Sequence, residues 1–439
     1  MSSQKDFTVA IVGGGIVGLV CAIALAREGI DVDVFEAASR YGEIGAGIGM
    51  GANAMRVLKD LGLLDDILAR SESIHSAQNS AQFVRGAEPH DIVYDYPKEN
   101  AMNGLGFHRA AFLDIIAGLL PNNVRSHFNK RCTSVFSAPS DRVRLRFADD
   151  TEHEVDLLIG TDGIKSAVRA QVLGADGDRL VHTGTSAFRA LVPTQRLRAA
   201  GVREEFLTSG PRIYLGQEKH IFAASIMGGA LFNVAAFTTD FAHAMTPAGS
   251  QDSWANWVSP TSKDEILAAF EDFGPDVRKI LECIDGPANK WAIHGLYPPL
   301  ETHVGSVTAD GDAKDTKNVV LLGDSAHAML PHMGAGASVG IEGAYVLKSL
   351  LSHPQAKLAN LSDILRAYSE ARVPRAHYVA IGSKRAGDVY QGHGPSGSSD
   401  EQRRADLDLQ WEGVWKYDCQ AEVARAVKTL EEGGVFQRN

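Results

Sequence analysis

The run VAIVGGGIVGLVCAIALA, residues 9 to 26, carries no charged side chain. It is slightly short of the roughly 20 apolar residues that a membrane-spanning helix needs. Only Lys5 precedes it as a positive flank, which is a poor signal-peptide pattern. The glycines constrain it further: Gly13, Gly15 and Gly18 form G-x-G-x-x-G directly after the β-rich FTVAIV and directly before the helical pattern IVGLVCAIALAREG. That order is strand, tight turn, helix. The first glycine lets the chain turn, the second lets a pyrophosphate approach the backbone, and the third lets helix and strand pack closely. An anionic phosphate then sits at the positive helix N-terminus. After Gly29 the run IDVDVFEA reads as the next strand and ends in Glu36, close to the ~20-residue offset at which a carboxylate bonds ribose hydroxyls. The stretch predicts the buried start of an ADP-binding βαβ unit.

A chain of 439 residues exceeds one ordinary domain, so two or three cores are expected. With 44% hydrophobic and 22% charged residues, the composition is that of a soluble globular protein. The formal charge of -11 comes without a basic block, which argues against nucleic acid as a partner. Cys21, Cys132, Cys283 and Cys419 lie far apart without C-x-x-C, so neither a zinc module nor a disulfide framework is indicated, and a reducing, cytoplasmic setting is expected. A second uncharged run, Ile221 to Phe237, has Gly228-Gly229 at its centre and reads as an antiparallel hairpin rather than a membrane span. QGHGPSGSSDEQRR, residues 391 to 404, reads as a flexible loop, and C-terminal helices are expected around it, with Trp411 and Trp415 at i, i+4 as core contacts.

Two further glycine-acid elements follow apolar strands. VDLLIGTDGIKSAVR places Asp162 before Gly163, and NVVLLGD places Asp324 after Gly323. Both aspartates fall at the C-terminal edge of a buried strand, where open α/β sheets bind ligands. Each could also be a helix cap. Asp324, His327 and His332 could form a metal site. The glycines of GAGASVG argue instead for a helix N-terminus cleared of side chains, able to stabilise an anionic ring, so no metal is expected.

G-x-G-x-x-G, D-G and G-D in this order and spacing resemble the FAD-dependent aromatic monooxygenases of the para-hydroxybenzoate hydroxylase fold. The resemblance implies an α/β architecture: a Rossmann-like FAD-binding domain with an inserted antiparallel-sheet substrate domain and C-terminal helices. It implies that Gly13, Gly15, Gly18 and Glu36 hold the ADP half of FAD, that Asp162 senses both FAD and the nicotinamide cofactor, and that Asp324 bonds the ribityl chain. GFHRAAF matches the family's arginine motif, so Arg109 would contact FAD oxygens as a charge-assisted donor. Gly49, Gly336 and Ala337 would touch FAD through their backbones. Within the family, FEAASRYGEIGAGIGMGANAMRVL, AFRALVP, LECIDGPANKWAIHGL, LLGDSAHAMLPHMGAGA and WEGVWKYD resemble segments of the salicylate hydroxylases. One departure is Gly343, where the family pattern Gly-x-Glu-Asp has the acid.

The implied reaction uses NADH or NADPH and O2. A flavin C4a-hydroperoxide would hydroxylate salicylate at C1, expelling carbon dioxide and leaving catechol, in a site that excludes water. The alternatives are a hydroxylase of another phenolic acid such as methylsalicylate, an FAD-dependent oxidase or reductase, and a nucleotide sensor without turnover. Arg189 is the candidate carboxylate or phenolate anchor, with an ion pair at the domain boundary as its plain alternative. Pro331 is expected to shape the oxygen pocket and His332 to carry a proton. Phe222, Met227 and Phe232 are candidates for an aromatic lining. The organisation expected is an FAD-binding domain built from 1–75, 101–184 and 291–355, a substrate sheet from 76–100 and 185–290, and C-terminal helices over 356–439. The sequence carries no reading of oligomeric state.

Overall fold

The computed structural model describes residues 5–42, 47–71, 75–76, 81–97, 105–140, 142–174, 179–247, 257–284, 288–308 and 316–438. The ends of the expected 76–100 segment, at 77–80 and 98–100, lie outside them.

Strand β1 (Val9–Val12), helix α1 (Ile16–Arg27) and strand β2 (Val32–Phe35) form the predicted unit, with Val9 beside Val32 in a parallel pair. The other side of β1 pairs in parallel with Leu157–Gly160, which pairs in turn with Thr316–Leu321. The strands that end in the three glycine-acid elements are therefore neighbours in one six-stranded sheet, although long stretches of chain separate them. The absence of charge in residues 9 to 26 follows from burial. Leu19 to Leu25 are each at most 2% exposed, because α1 is enclosed by the sheet and by helix α2 (Gly336–Ser352). Burial of a Leu, Val or Ile side chain contributes about 1.5–3 kcal/mol. Close approach of the two helices requires Gly340, whose added Cβ would lie 2.5 Å from a Val17 methyl.

The second large sheet has nine strands. At its centre lie strands β4 (Leu180–Pro193), β5 (Lys219–Ile226) and β6 (Leu231–Thr239), all antiparallel. The uncharged run 221–237 is the β5–β6 hairpin, turned at Gly228 and Gly229, both with positive φ. Ala288–Leu296 extends the sheet beside β4, and Arg212–Leu215, Gln82–Arg85 and Ile92–Asp95 extend it beyond β5. One pair, Arg212–Leu215 with Gln82–Arg85, is parallel. One face of this sheet is sealed by helices: Phe188, Ile221, Phe232 and Val234 pack with Phe270, Val277 and Leu281 in a separate core. The opposite face is turned toward the first domain.

The C-terminal region is helical. Helix α3 (Leu361–Tyr390) is followed by Asp400–Leu407, Glu412–Trp415 and Cys419–Glu432. The loop expected over 391–404 ends earlier, at Ser399, because Ser399 and Gln402 form a capping box that starts a helix at Asp400. Asp406 on that helix accepts hydrogen bonds from Ser396 N and Oγ at 3.0 and 2.9 Å. A buried ion network joins α2 to the C-terminal helices. Glu342 accepts from Asn53 at 2.6 Å, Arg372 at 3.0 Å and Arg375 at 2.8 and 2.9 Å, and Glu422 accepts from Arg372 at 2.7 Å. Gly343 faces this network, and a Cβ there would lie 2.6 Å from Leu322 and 3.0 Å from the Tyr368 hydroxyl. The absence of the family's acid thus coincides with a position that has no room for a side chain. The four cysteines are free and buried, and no helix among the described residues is long and apolar enough to cross a membrane.

Candidate active site

The G-x-G-x-x-G turn is as tight as its glycines predict. Gly13 has φ +108°, and a Cβ there would stand 2.4 Å from the Thr161 carbonyl oxygen; at Gly18 it would stand 2.1 Å from the Gly13 carbonyl oxygen. Neither position tolerates a side chain. Gly15 caps α1 without a side-chain acceptor, so the helix presents its leading N–H groups to an anionic ligand. Glu36 accepts the Gly14 and Ala38 N–H groups at 2.7 and 2.8 Å and so braces the turn from the end of β2. Helix α2 likewise begins at Gly336 without a side-chain cap.

These helix ends open on a cavity of about 1610 Å³ between the two sheets. Gly15, Gly18, Gly49, Arg109, Asp162, Asp324, Gly336 and Ala337 all line it, whereas Gly13 and Glu36 support the turn from behind. Gly49 lies on strand β3 (Gly47–Met50), and a Cβ added there would meet no atom within 4 Å, so the strand is open to the cavity. Arg109 is the first residue of its helix. Asp162 is committed to its own turn: its carboxylate accepts from Ser166 Oγ and from the Val168 N–H, the latter at 3.1 Å. Burial nonetheless pushes its carboxyl above the ordinary range. Uncapped helix ends, an arginine and a strand opened by Gly47 and Gly49 fit the anionic FAD that the family resemblance implies.

The second wall is the open face of the nine-stranded sheet. The period of two puts Ala187, Arg189, Asn233, Ala235, Phe237 and Phe222 on the cavity side. Arg189 makes no hydrogen bond or ion pair among the described residues, so the boundary ion pair is not formed. Partial desolvation within the cavity wall and the nearby Arg109 both lower its pKa. Of Phe222, Met227 and Phe232, the three residues expected to line an aromatic pocket, only Phe222 lines the cavity. Phe232 has the opposite parity and is packed in the helix-covered core, and Met227 lies in the hairpin turn with φ +50°.

Pro331 and His332 lie on the loop between Ala328 and Ala335 and both line the cavity. His332 packs edge-on against His220, Phe237 and Tyr390, with ring centroids 5.0 to 6.3 Å apart. Burial pushes its pKa down to about 3, so it is neutral at pH 7 and its Nδ1 has no hydrogen-bond partner among the described residues. It does not titrate near neutrality, contrary to the ordinary histidine behaviour assumed from sequence. His327 turns to His303, 6.0 Å away, rather than to His332. Among the described residues no three His, Cys, Asp or Glu side chains converge as a metal site.

Sequence reasoning missed Asn53, Asn233, Ala187 and Ala235 as cavity residues. The two-residue alternation in SAFRALV and FNVAAF was the available signal, but it could not say which face would be sealed by helices. Trp411 and Trp415 are core residues, as expected, and also reach the cavity wall.

The FAD binding domain family matches residues 6–179 and 303–382, leaving out the segment that forms most of the nine-stranded sheet. A salicylate hydroxylase of Pseudomonas putida is 37% identical over 458 residues, spanning 99% of this chain and 98% of that protein. The FAD-dependent monooxygenase pigN of Monascus ruber is 31% identical over 442 residues, 94% of each chain. A solved salicylate hydroxylase substrate complex superposes with a TM-score of 0.81 at 30% identity, covering 97% of this chain and 98% of that one.

Proposed function

This chain belongs to the FAD-dependent monooxygenases of the salicylate hydroxylase family, and we propose that it hydroxylates salicylate at C1 with loss of carbon dioxide to give catechol. The balance is salicylate, NAD(P)H, O2 and two protons to catechol, carbon dioxide, water and NAD(P)+. The observation that carries this reading is Arg189, a cation with no counter-ion among the described residues, in a cavity wall where Ala235 separates it from Phe222.

The turn at Gly13, Gly15 and Gly18, braced from behind by Glu36, would hold the adenosine end of FAD, and Asp324, Arg109, Gly49, Gly336 and Ala337 its remainder. FAD supplies reductive activation of oxygen when bound. The protein's own contribution is to bind and orient the acid. Arg189 offers two donors to a carboxylate, a charge-assisted contact that fixes the ring direction. Phe222 supports the ring. His332, held neutral by burial, is proposed to keep a second charge out of the pocket wall beside the phenol. Pro331 narrows the pocket beside it, and the apolar walls exclude water. A phenol is most nucleophilic ortho and para to its oxygen, and in salicylate only the ortho carbon C1 bears a group able to leave as carbon dioxide.

The test is NAD(P)H oxidation over a panel of hydroxybenzoates with identification of products. Catechol and carbon dioxide at one equivalent per NAD(P)H are expected from salicylate. Gentisate or 2,3-dihydroxybenzoate would refute attack at C1, and oxidation of NAD(P)H indifferent to every phenol would favour an oxidase.

A further inference from the structure

The register of the three central strands places the small residues of the cavity wall in a line. Ala187 is opposite Phe237, which is opposite His220; Arg189 is opposite Ala235, which is opposite Phe222; and Asn233 is opposite Ala224. Ala187 on β4, Ala235 on β6 and Ala224 on β5 therefore lie on one diagonal of the sheet, and all three line the cavity. One bank of this diagonal is polar, Arg189 and Asn233, and the other is aromatic, Phe237 and Phe222. Diagonal neighbours in a sheet are about 7–8 Å apart, so the alanine trough runs for about 15 Å. A single six-membered ring fills less than half of it. The trough also passes close to the glycine strand: a Cβ on Gly47 of β3 would lie 2.9 Å from the Asn233 side chain.

We infer that this trough is a specificity element that admits aromatic hydroxy acids wider than one ring, either fused two-ring acids or rings with an apolar substituent. The carboxylate lies on the Arg189 bank, the rings lie over the alanines against the Phe237 and Phe222 bank, and Ala235, at the midpoint, sets the width accepted. The inference rests on the proposed reading of the cavity as a phenolic-acid site.

The test compares salicylate with 1-hydroxy-2-naphthoate on the FAD-loaded protein, by steady-state NAD(P)H oxidation and by perturbation of the flavin absorbance on binding. The wild-type protein should take the two-ring acid with kcat/KM within about tenfold of salicylate. Ala235→Val and, independently, Ala224→Val should shift the preference toward salicylate by at least tenfold, with FAD content and melting temperature confirming that each variant is folded. A wild-type protein that turns over salicylate and rejects the two-ring acid would overturn the inference, as would variants whose preference moves less than threefold. Failure of both acids to bind or turn over would instead sink the phenolic-acid reading on which the inference stands.

Discussion

Replacing Arg189 with alanine should separate function from stability. Arg189 is opposite Ala235 across the strand pair, has no hydrogen-bonding or ionic partner among the described residues, and feels the positive charge of Arg109. Removing it breaks no bond in the free protein, so the change in folding stability should stay within about 0.5 kcal/mol. In the complex it removes a charged hydrogen bond, typically about 1.5–3 kcal/mol. At about 1.36 kcal/mol per decade, kcat/KM for salicylate should fall about ten- to 150-fold. Arg189→Lys keeps the charge and loses the planar fork, so its loss should be smaller and expressed mainly in KM. The assays are urea denaturation at fixed FAD concentration and initial rates of NAD(P)H oxidation with salicylate. A variant that loses more than 1 kcal/mol of stability while kcat/KM is unchanged would mean that Arg189 holds the fold and not the acid.

Three other outcomes can be checked. Asp324→Ala should weaken FAD retention, measured by equilibrium dialysis; unchanged affinity would reduce Asp324 to a helix-start residue. Glu342→Ala leaves Arg372 and Arg375 buried without that carboxylate and should cost about 3–5 kcal/mol, read as a lower urea midpoint; a loss below 1 kcal/mol would show that the network relaxes. Stability should fall as pH drops below 6.5. The folded pKa values of His294 and His327 lie at about 4 and that of His332 at about 3, all lowered by burial. Between those values and 6.5 the unfolded chain takes up protons that the folded one refuses, so the stabilisation is complete above pH 6.5 and is lost progressively toward pH 3, at up to about 1.4 kcal/mol per pH unit for each histidine. Urea midpoints that do not change between pH 7.5 and 5 would contradict this.

The dinucleotide cradle was legible in the sequence because its physics is local. Gly13 and Gly18 are required by contacts within a few residues or with the adjacent strand, and the apolar run between them and Ala26 marks an element buried on every side. The strand-end aspartates could be found for the same reason, as punctuation after an apolar strand. What they do there could not: both line the cavity, and Asp162 spends its carboxylate on Ser166 and Val168 of its own turn. The substrate wall was decided by tertiary structure. Alternation told which residues share a face, but Phe222 and Phe232 were indistinguishable until helices covered one side of the sheet. The diagonal of alanines needed the register of three strands, which no single segment encodes. His332 makes the same point through charge. Its type promised a titrating group near neutrality, and the packing of His220, Phe237 and Tyr390 around it removed the water that would have stabilised the proton.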